Sequence, residues 1–124
     1  MTKYDKSFDP PAPIAEISLR NTKTGVRIGS VSVLLDTGAD ISLLPVSLIE
    51  KLQIEPSGEK VNLIGFDENQ NEADVYNLQI IFLGKRLTGD YCAIDGETGI
   101  LGRDALNEFS IIFDGVNLEW KENK

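Results

Sequence analysis

The chain has 124 residues with 20 acidic against 12 basic side chains, a net charge of -8, one cysteine and no histidine. That length fits one domain able to bury about two-thirds of its unfolded surface. The lone Cys92 excludes an intramolecular disulfide framework, and the lack of histidine removes the commonest zinc ligand, the commonest general base and every Ser-His-Asp or Cys-His scheme.

Any catalysis must then use carboxylates, hydroxyls, amines or backbone groups, with no metal and no cofactor expected. The acidic balance opposes nucleic acid and anionic membrane surfaces as partners. No apolar run approaches the roughly 20 residues of a membrane span, and the start "MTKYDKSFDPPAP" lacks the apolar stretch of a secretory signal. The expectation is a soluble, cytoplasmic protein.

In chain order, residues 1–13 are polar and carry Pro10, Pro11 and Pro13, which predicts a flexible N-terminal arm ahead of a domain over 14–124. "IAEISLR" and "VRIGSVSVLL" are rich in β-branched residues and joined by "NTKTG", whose Asn21 and Gly25 suit a turn, so they read as a β-hairpin. After Pro45, "VSLIEKLQI" has apolar residues at 48, 49 and 52, fitting a short helix. "VNLIGF" and "ADVYNLQIIFLG" read as two strands separated by the polar "DENQNE", and "KRLTGDYCAID" as another strand. "GETGILGRDALNEF" places glycines around Ile100 and Leu101 before a helical turn, and "SIIFDGVNLEW" is two apolar runs around Asp114 and Gly115, a hairpin signal. Many short strands with glycine-rich turns predict an all-β closed barrel or sandwich, and no glycine spacing forms a dinucleotide-binding fingerprint.

The chemistry concentrates in "LLDTGADISLLP", where Asp36 and Asp40 interrupt apolar sequence. A buried carboxylate needs partners, so the placement calls for structural pairing or for reaction chemistry. An isolated Asp-x-Gly is explained well enough by an Asx turn, in which the carboxylate accepts the following amides. Here the carboxylate instead ends an apolar strand beside a hydroxyl and an unhindered glycine.

With its neighbours, "LLDTGADISLLP" resembles the active-site loop of the retropepsin-like aspartic proteases, and "GILGRDAL" about sixty residues later resembles that family's apolar-Gly-Arg segment. The order of strand, active loop, flap hairpin, strand, Gly-Arg loop, helix and terminal strand extends the resemblance over about residues 14 to 120. It implies a retropepsin-like closed barrel, in a single lobe with a flap hairpin and one or two short helices. It also implies an aspartic endopeptidase acting on polypeptide. Such enzymes use two carboxylates sharing one proton, one taking a proton from water while the other donates to the substrate carbonyl.

This chain has only one Asp-Thr-Gly, so the second Asp36 has to come from another copy across a two-fold axis, giving a homodimer. By resemblance, Thr37 bonds across that axis, Gly38 lets the substrate backbone approach, and Ala39 keeps the loop small. Asp40 pairs with Arg103 and accepts a substrate amide, Ile100 faces the cleft, and Leu101 faces the core. Gly65, Phe66 and Asp67 belong to the flap, whose acidic "GFDENQNEAD" departs from the glycine-rich viral tip. The expected C-terminal hairpin, with Trp120 near its end, also departs from the viral pattern. The layout is closer to short bacterial relatives. From a different class, a retropepsin-fold module that binds peptide or dimerises without turnover fits the same motifs, because fold does not guarantee activity.

Overall fold

The computed structural model describes residues 1–64 and 70–124. In chain order its elements are β1 (Thr2–Lys3), β2 (Ile14–Arg20), β3 (Arg27–Leu35), β4 (Leu43–Pro45), α1 (Val46–Lys51), β5 (Lys60–Ile64), β6 (Gln70–Asp74), β7 (Tyr76–Phe82), β8 (Lys85–Ile94), β9 (Gly99–Leu101), α2 (Arg103–Leu106), β10 (Ile111–Asp114) and β11 (Glu119–Glu122). Six strands close into a barrel in the order β2-β3-β9-β4-β8-β7. No helix among the described residues is long and apolar enough to cross a membrane.

The barrel follows from strict alternation. On β2, Ala15, Ile17 and Leu19 are buried while Glu16 between them is exposed, and Val31, Val33 and Leu35 do the same on β3. The two strands form the expected hairpin. Its turn is built by Asn21, whose Oδ1 accepts the Lys23 and Thr24 amides and whose Nδ2 donates to the Leu52 carbonyl at 2.8 Å, so the turn is tied to the end of α1. Gly25 supplies the positive φ of +79° that closes it.

β9 is threaded between β3 and β4, parallel to β3 and antiparallel to β4, with Ile100 opposite both Leu34 and Leu43. Only a glycine fits at its start. A Cβ on Gly99 would sit 2.7 Å from the Leu43 carbonyl and 3.2 Å from a Val33 methyl, so the three strands close only because the side chain is missing.

β5 and β6 pair antiparallel as a separate hairpin, with Lys60 and Asp74 forming a 3.0 Å ion pair near its base. The expected flap residues Gly65, Phe66 and Asp67 lie outside the described residues. The single strand expected over "ADVYNLQIIFLG" is instead two. At Val75 the amide donates to the Glu59 carbonyl and the carbonyl accepts from the Ser57 amide, and this buried residue divides the hairpin strand β6 from the barrel strand β7.

Part of the arm expected over residues 1–13 pairs with the C-terminal strand. β1 pairs with β11 in the register Thr2↔Trp120 and Lys3↔Glu119, Tyr4 donates to the Leu118 carbonyl, and Asp5 bridges to Ala12. The outer edge of β11 offers backbone groups that β1 satisfies, and the prolines lie in the loop that returns the chain to β2. The resulting sheet, in the order β1-β11-β10, docks through Trp120, which is core rather than surface. Its indole Nε1 donates to the Ile14 carbonyl at 3.1 Å and its ring lies 6.0 Å from that of Phe82, which in turn meets Phe109 edge-on at 5.0 Å. The C-terminal hairpin is as the sequence predicts, though its loop spans Gly115 to Leu118, with Asp114 accepting from the Asn117 backbone and side-chain amides.

Candidate active site

Asp36 follows the last residue of β3. Its amide donates to the Leu101 carbonyl at 3.0 Å, which carries the β3–β9 pairing one residue further and fixes where the carboxylate leaves the sheet. The chain then turns sharply. Asp36 Oδ1 accepts the Gly38 amide at 2.8 Å, and its carbonyl accepts the Ala39 amide at 3.2 Å. The Asx turn and the loop that follows β3 are therefore one object. One carboxylate oxygen is anchored, while the other accepts no hydrogen bond among the described residues. A Cβ on Gly38 would stand 3.1 Å from Oδ1, so a side chain there would press on the carboxylate. Asp36 is half-buried, and Thr37 and Gly38 are exposed beside it.

The Gly-Arg segment holds this loop from behind. Arg103 donates through its backbone amide to the Ala39 carbonyl at 2.8 Å and through Nη1 to the Thr37 carbonyl at 2.7 Å. The approach again requires glycine, because a Cβ on Gly102 would lie 2.9 Å from the Ala39 carbonyl and 3.0 Å from the Ile41 carbonyl carbon.

The expected ion pair between Asp40 and Arg103 is absent among the described residues. Arg103 is pinned by its own amide under the loop, where its Nη1 donates to the Thr37 carbonyl, whereas Asp40 is exposed. Ile100 is half-buried on β9, and Leu101 is fully buried in the core as expected.

Sequence reasoning missed the tightest element of the site. Ser42 is fully buried, and its Oγ donates to Asp104 Oδ1 at 2.6 Å while accepting the Gly102 amide at 2.9 Å. Its own amide donates to Asp104 Oδ2 at 2.9 Å. Asp104 thus grips both donors of one residue, and the strand leaving the loop is locked to α2. The available signal was a hydroxyl inside the apolar run "ISLLP", since a buried hydroxyl requires partners.

The neighbouring β8 contributes two buried titratable groups. Burial, assisted by the charges of Asp104 and Asp90, pushes the Tyr91 hydroxyl up to about 12, and that hydroxyl donates to the Leu87 carbonyl at 3.1 Å. Burial first, then Asp104 and Asp74, also raises the Cys92 thiol, which keeps it protonated and unreactive. Thr37 and Arg103 line a groove of about 210 Å³ together with Phe109, Ile111 and Phe113.

A half-anchored carboxylate at the mouth of a glycine-bearing loop can act as a general base or acid. The sequence model described as aspartyl protease matches residues 24–105, from before β3 into α2, and so includes the whole loop, Ser42, Gly102, Arg103 and Asp104. The EIAV protease complexed with the inhibitor HBY-793 is similar in structure, with a TM-score of 0.58 and 26% identity over 78% of this chain and 86% of that one. The simian foamy virus (mac) protease shares the fold, with a TM-score of 0.54 and 17% identity over 76% of this chain and 91% of that one. No curated protein matches the sequence. Both structures are viral and do not bear on the expected bacterial kinship. The match covers more than half of the chain and contains the Asp36 loop, and the barrel is retropepsin-like: the chain belongs to the aspartyl protease family.

Proposed function

We propose that two copies of this chain form a homodimeric aspartic endopeptidase in which Asp36 of each copy supplies half of a catalytic pair. The observation that carries this reading is the loop geometry. Asp36 is held at the end of β3 by the Leu101 carbonyl and the Gly38 amide, and among the described residues its other carboxylate oxygen accepts no hydrogen bond. A single general base supplies about 10²–10⁴-fold acceleration, well short of the ~10⁶ or more that enzymes reach. Two-fold symmetry would bring the second carboxylate with identical surroundings.

In the dimer the two carboxylates hold one proton, since neighbouring like charges cannot both ionise. Water loses a proton to the ionised carboxylate as its oxygen attacks the peptide carbonyl carbon. The protonated carboxyl gives its proton to the carbonyl oxygen, and a tetrahedral diol forms. The proton taken from water then passes to the amide nitrogen, a diol hydroxyl returns its proton to the other carboxylate as the C–N bond breaks, and acid and amine products leave with the pair again sharing one proton. The chemistry needs no metal or other cofactor. Thr37, exposed beside the carboxylate, is placed to meet its counterpart. The substrate is an extended polypeptide lying against the loop and beneath the β5–β6 hairpin, with Ile100 and Asp40 near its path.

The test compares wild type with Asp36→Asn on a diverse peptide library from pH 3 to pH 8. Wild type should cleave, and the variant should lose at least ~10²-fold while keeping its melting temperature. Equal cleavage by both would remove Asp36 from the mechanism. Peptide binding without cleavage by either would instead identify the binding module.

A further inference from the structure

A second concavity lies where α1 ends. Glu50, Gln53, Ile54, Glu55 and Pro56, together with Tyr76 from the start of β7, line an open cleft of about 430 Å³ that shares no residue with the groove beside Thr37. Its size is that of a small-molecule site. The helix closes in a Schellman pattern, in which the Gln53 amide donates to the Glu50 carbonyl at 2.9 Å and the Ile54 amide donates to the Ile49 carbonyl at 3.2 Å. Glycine usually takes the left-handed place in that motif, yet Gln53 occupies it at φ +56° and keeps a side chain on the cleft.

The lining combines two carboxylates with apolar surface. Ile54 and Tyr76 are half-buried and pack against the core, whereas Glu50, Gln53, Glu55 and Pro56 are exposed. Among the described residues neither Glu50 nor Glu55 has a cationic partner, while the charge of nearby Asp74 is met by Lys60. The Tyr76 hydroxyl registers this field: burial first, then Asp74, Glu50 and Glu55, raise it above its usual value. A cation is the complementary guest. The donor set suits an organic ammonium better than a divalent metal, because no group of three or more His, Cys, Asp or Glu among the described residues could hold a metal ion. Ile54, Pro56 and Tyr76 supply surface for a methylene chain, and an aromatic ring also attracts an ammonium group.

We propose that this cleft binds a small aliphatic diamine, its ammonium groups held by Glu50 and Glu55 and its methylene chain lying against Ile54, Pro56 and Tyr76. The inference does not depend on the shared-carboxylate reading. The site adjoins the root of the β5–β6 hairpin. Ser57, next after Pro56, donates its amide to the Val75 carbonyl at 2.8 Å, the Val75 amide donates to the Glu59 carbonyl at 3.2 Å, and Tyr76 follows Val75. A guest that touches both Pro56 and Tyr76 therefore braces the junction where the hairpin leaves the barrel, and opening of that junction costs more while the guest is bound.

The probe is putrescine, titrated against the full chain at constant ionic strength while amide chemical shifts and hydrogen exchange are followed. Saturable shifts are expected at Gln53, Ile54, Glu55 and Tyr76, with slower exchange at the Ser57 and Val75 amides. Glu50→Gln combined with Glu55→Gln, at two exposed positions, should weaken binding roughly tenfold, the sum of two modest exposed ion pairs. Glu16→Gln combined with Glu97→Gln makes the same change of net charge at exposed residues outside the cleft and should bind like wild type. Butanediol, the uncharged counterpart, should not bind, and magnesium at equal ionic strength should not displace putrescine. An equal loss in both double variants, or displacement by magnesium, would reduce the effect to general counterion attraction and overturn the site. Saturable binding that leaves Ser57 and Val75 exchanging as before would overturn the bracing of the junction.

Discussion

The loop that carries Asp36 and the sheet built from the chain termini both rest on the same barrel, yet they are finished to different degrees. Around the loop every strand approach is saturated. Gly99 and Gly102 admit backbone at distances no side chain would tolerate, and Ser42, Asp104, Gly102 and Arg103 close a set of hydrogen bonds that leaves no buried donor of that clamp unpaired. The terminal sheet is fastened on one face by Trp120 and stops at an edge with apolar side chains in water. The loop is closed by hydrogen bonds within one chain, whereas the terminal sheet keeps an open edge among the described residues. A loop closed in this way suits a reacting carboxylate, since positioning errors near 1 Å are costly.

The comparison would break most sharply at Gly102. In Gly102→Ala the new methyl meets the carbonyl of Ala39 and the backbone of Ile41, and because the obstacle is backbone the loop has to move. We expect a loss of about 3 kcal/mol of stability, typical of forced overpacking, together with loss of peptidase activity. Thermal unfolding and peptide turnover would check both. An alanine accepted without effect would mean that the loop is not locked.

Next in size is Asp104→Ala. It strands the amide and hydroxyl of fully buried Ser42, at about 1–3 kcal/mol for a buried unpaired group. A fall in melting temperature of about 10 °C is expected. Since Asp104 does not touch the carboxylate of Asp36, residual turnover at low temperature should survive, in contrast to Asp36→Asn. Calorimetry paired with turnover below the melting range would separate the two effects.

How far the sequence could be read follows the same division. The barrel strands β2, β3, β7 and β8 and the terminal hairpin rest on local alternation and turn residues, and those were legible, whereas the three-residue strands β4 and β9 are too short to show a period. What was not legible depends on residues far apart. The pairing of Thr2 with Trp120 has no local pattern, because a strand of two residues carries no periodicity. Asp104 and Ser42 are separated by 62 positions, and nothing near either residue names the other. The expected pairing of Asp40 with Arg103 failed for a related reason: opposite charge suggested a partner, but the close approach at Gly102 aims the guanidinium at the Thr37 carbonyl. Val75 hid a change of sheet inside one apolar run, since both halves read as extended chain.

The smallest effect separates the two regions by pH. Tyr91 on the barrel has its hydroxyl pushed up to about 12 by burial, against about 10 in an unfolded chain, so folding favours its neutral form. Its contribution is therefore complete below about pH 10 and is lost as pH rises through about 12. Asp114, in the terminal hairpin, has the opposite sign, because hydrogen bonds from Asn117 hold its carboxyl below the usual range. What it contributes is present above the unfolded carboxylate value and disappears as pH falls. Tyr91→Phe should cost about 1 kcal/mol at neutral pH, for the lost bond to the Leu87 carbonyl, and should flatten the decline between pH 10 and pH 12. Its stability would thus converge on that of wild type at the alkaline end, with the acid limb unchanged. Denaturant titrations from pH 3 to pH 12 would check this. Parallel curves across the alkaline range would mean that the Tyr91 hydroxyl titrates as freely in the barrel as in the unfolded chain.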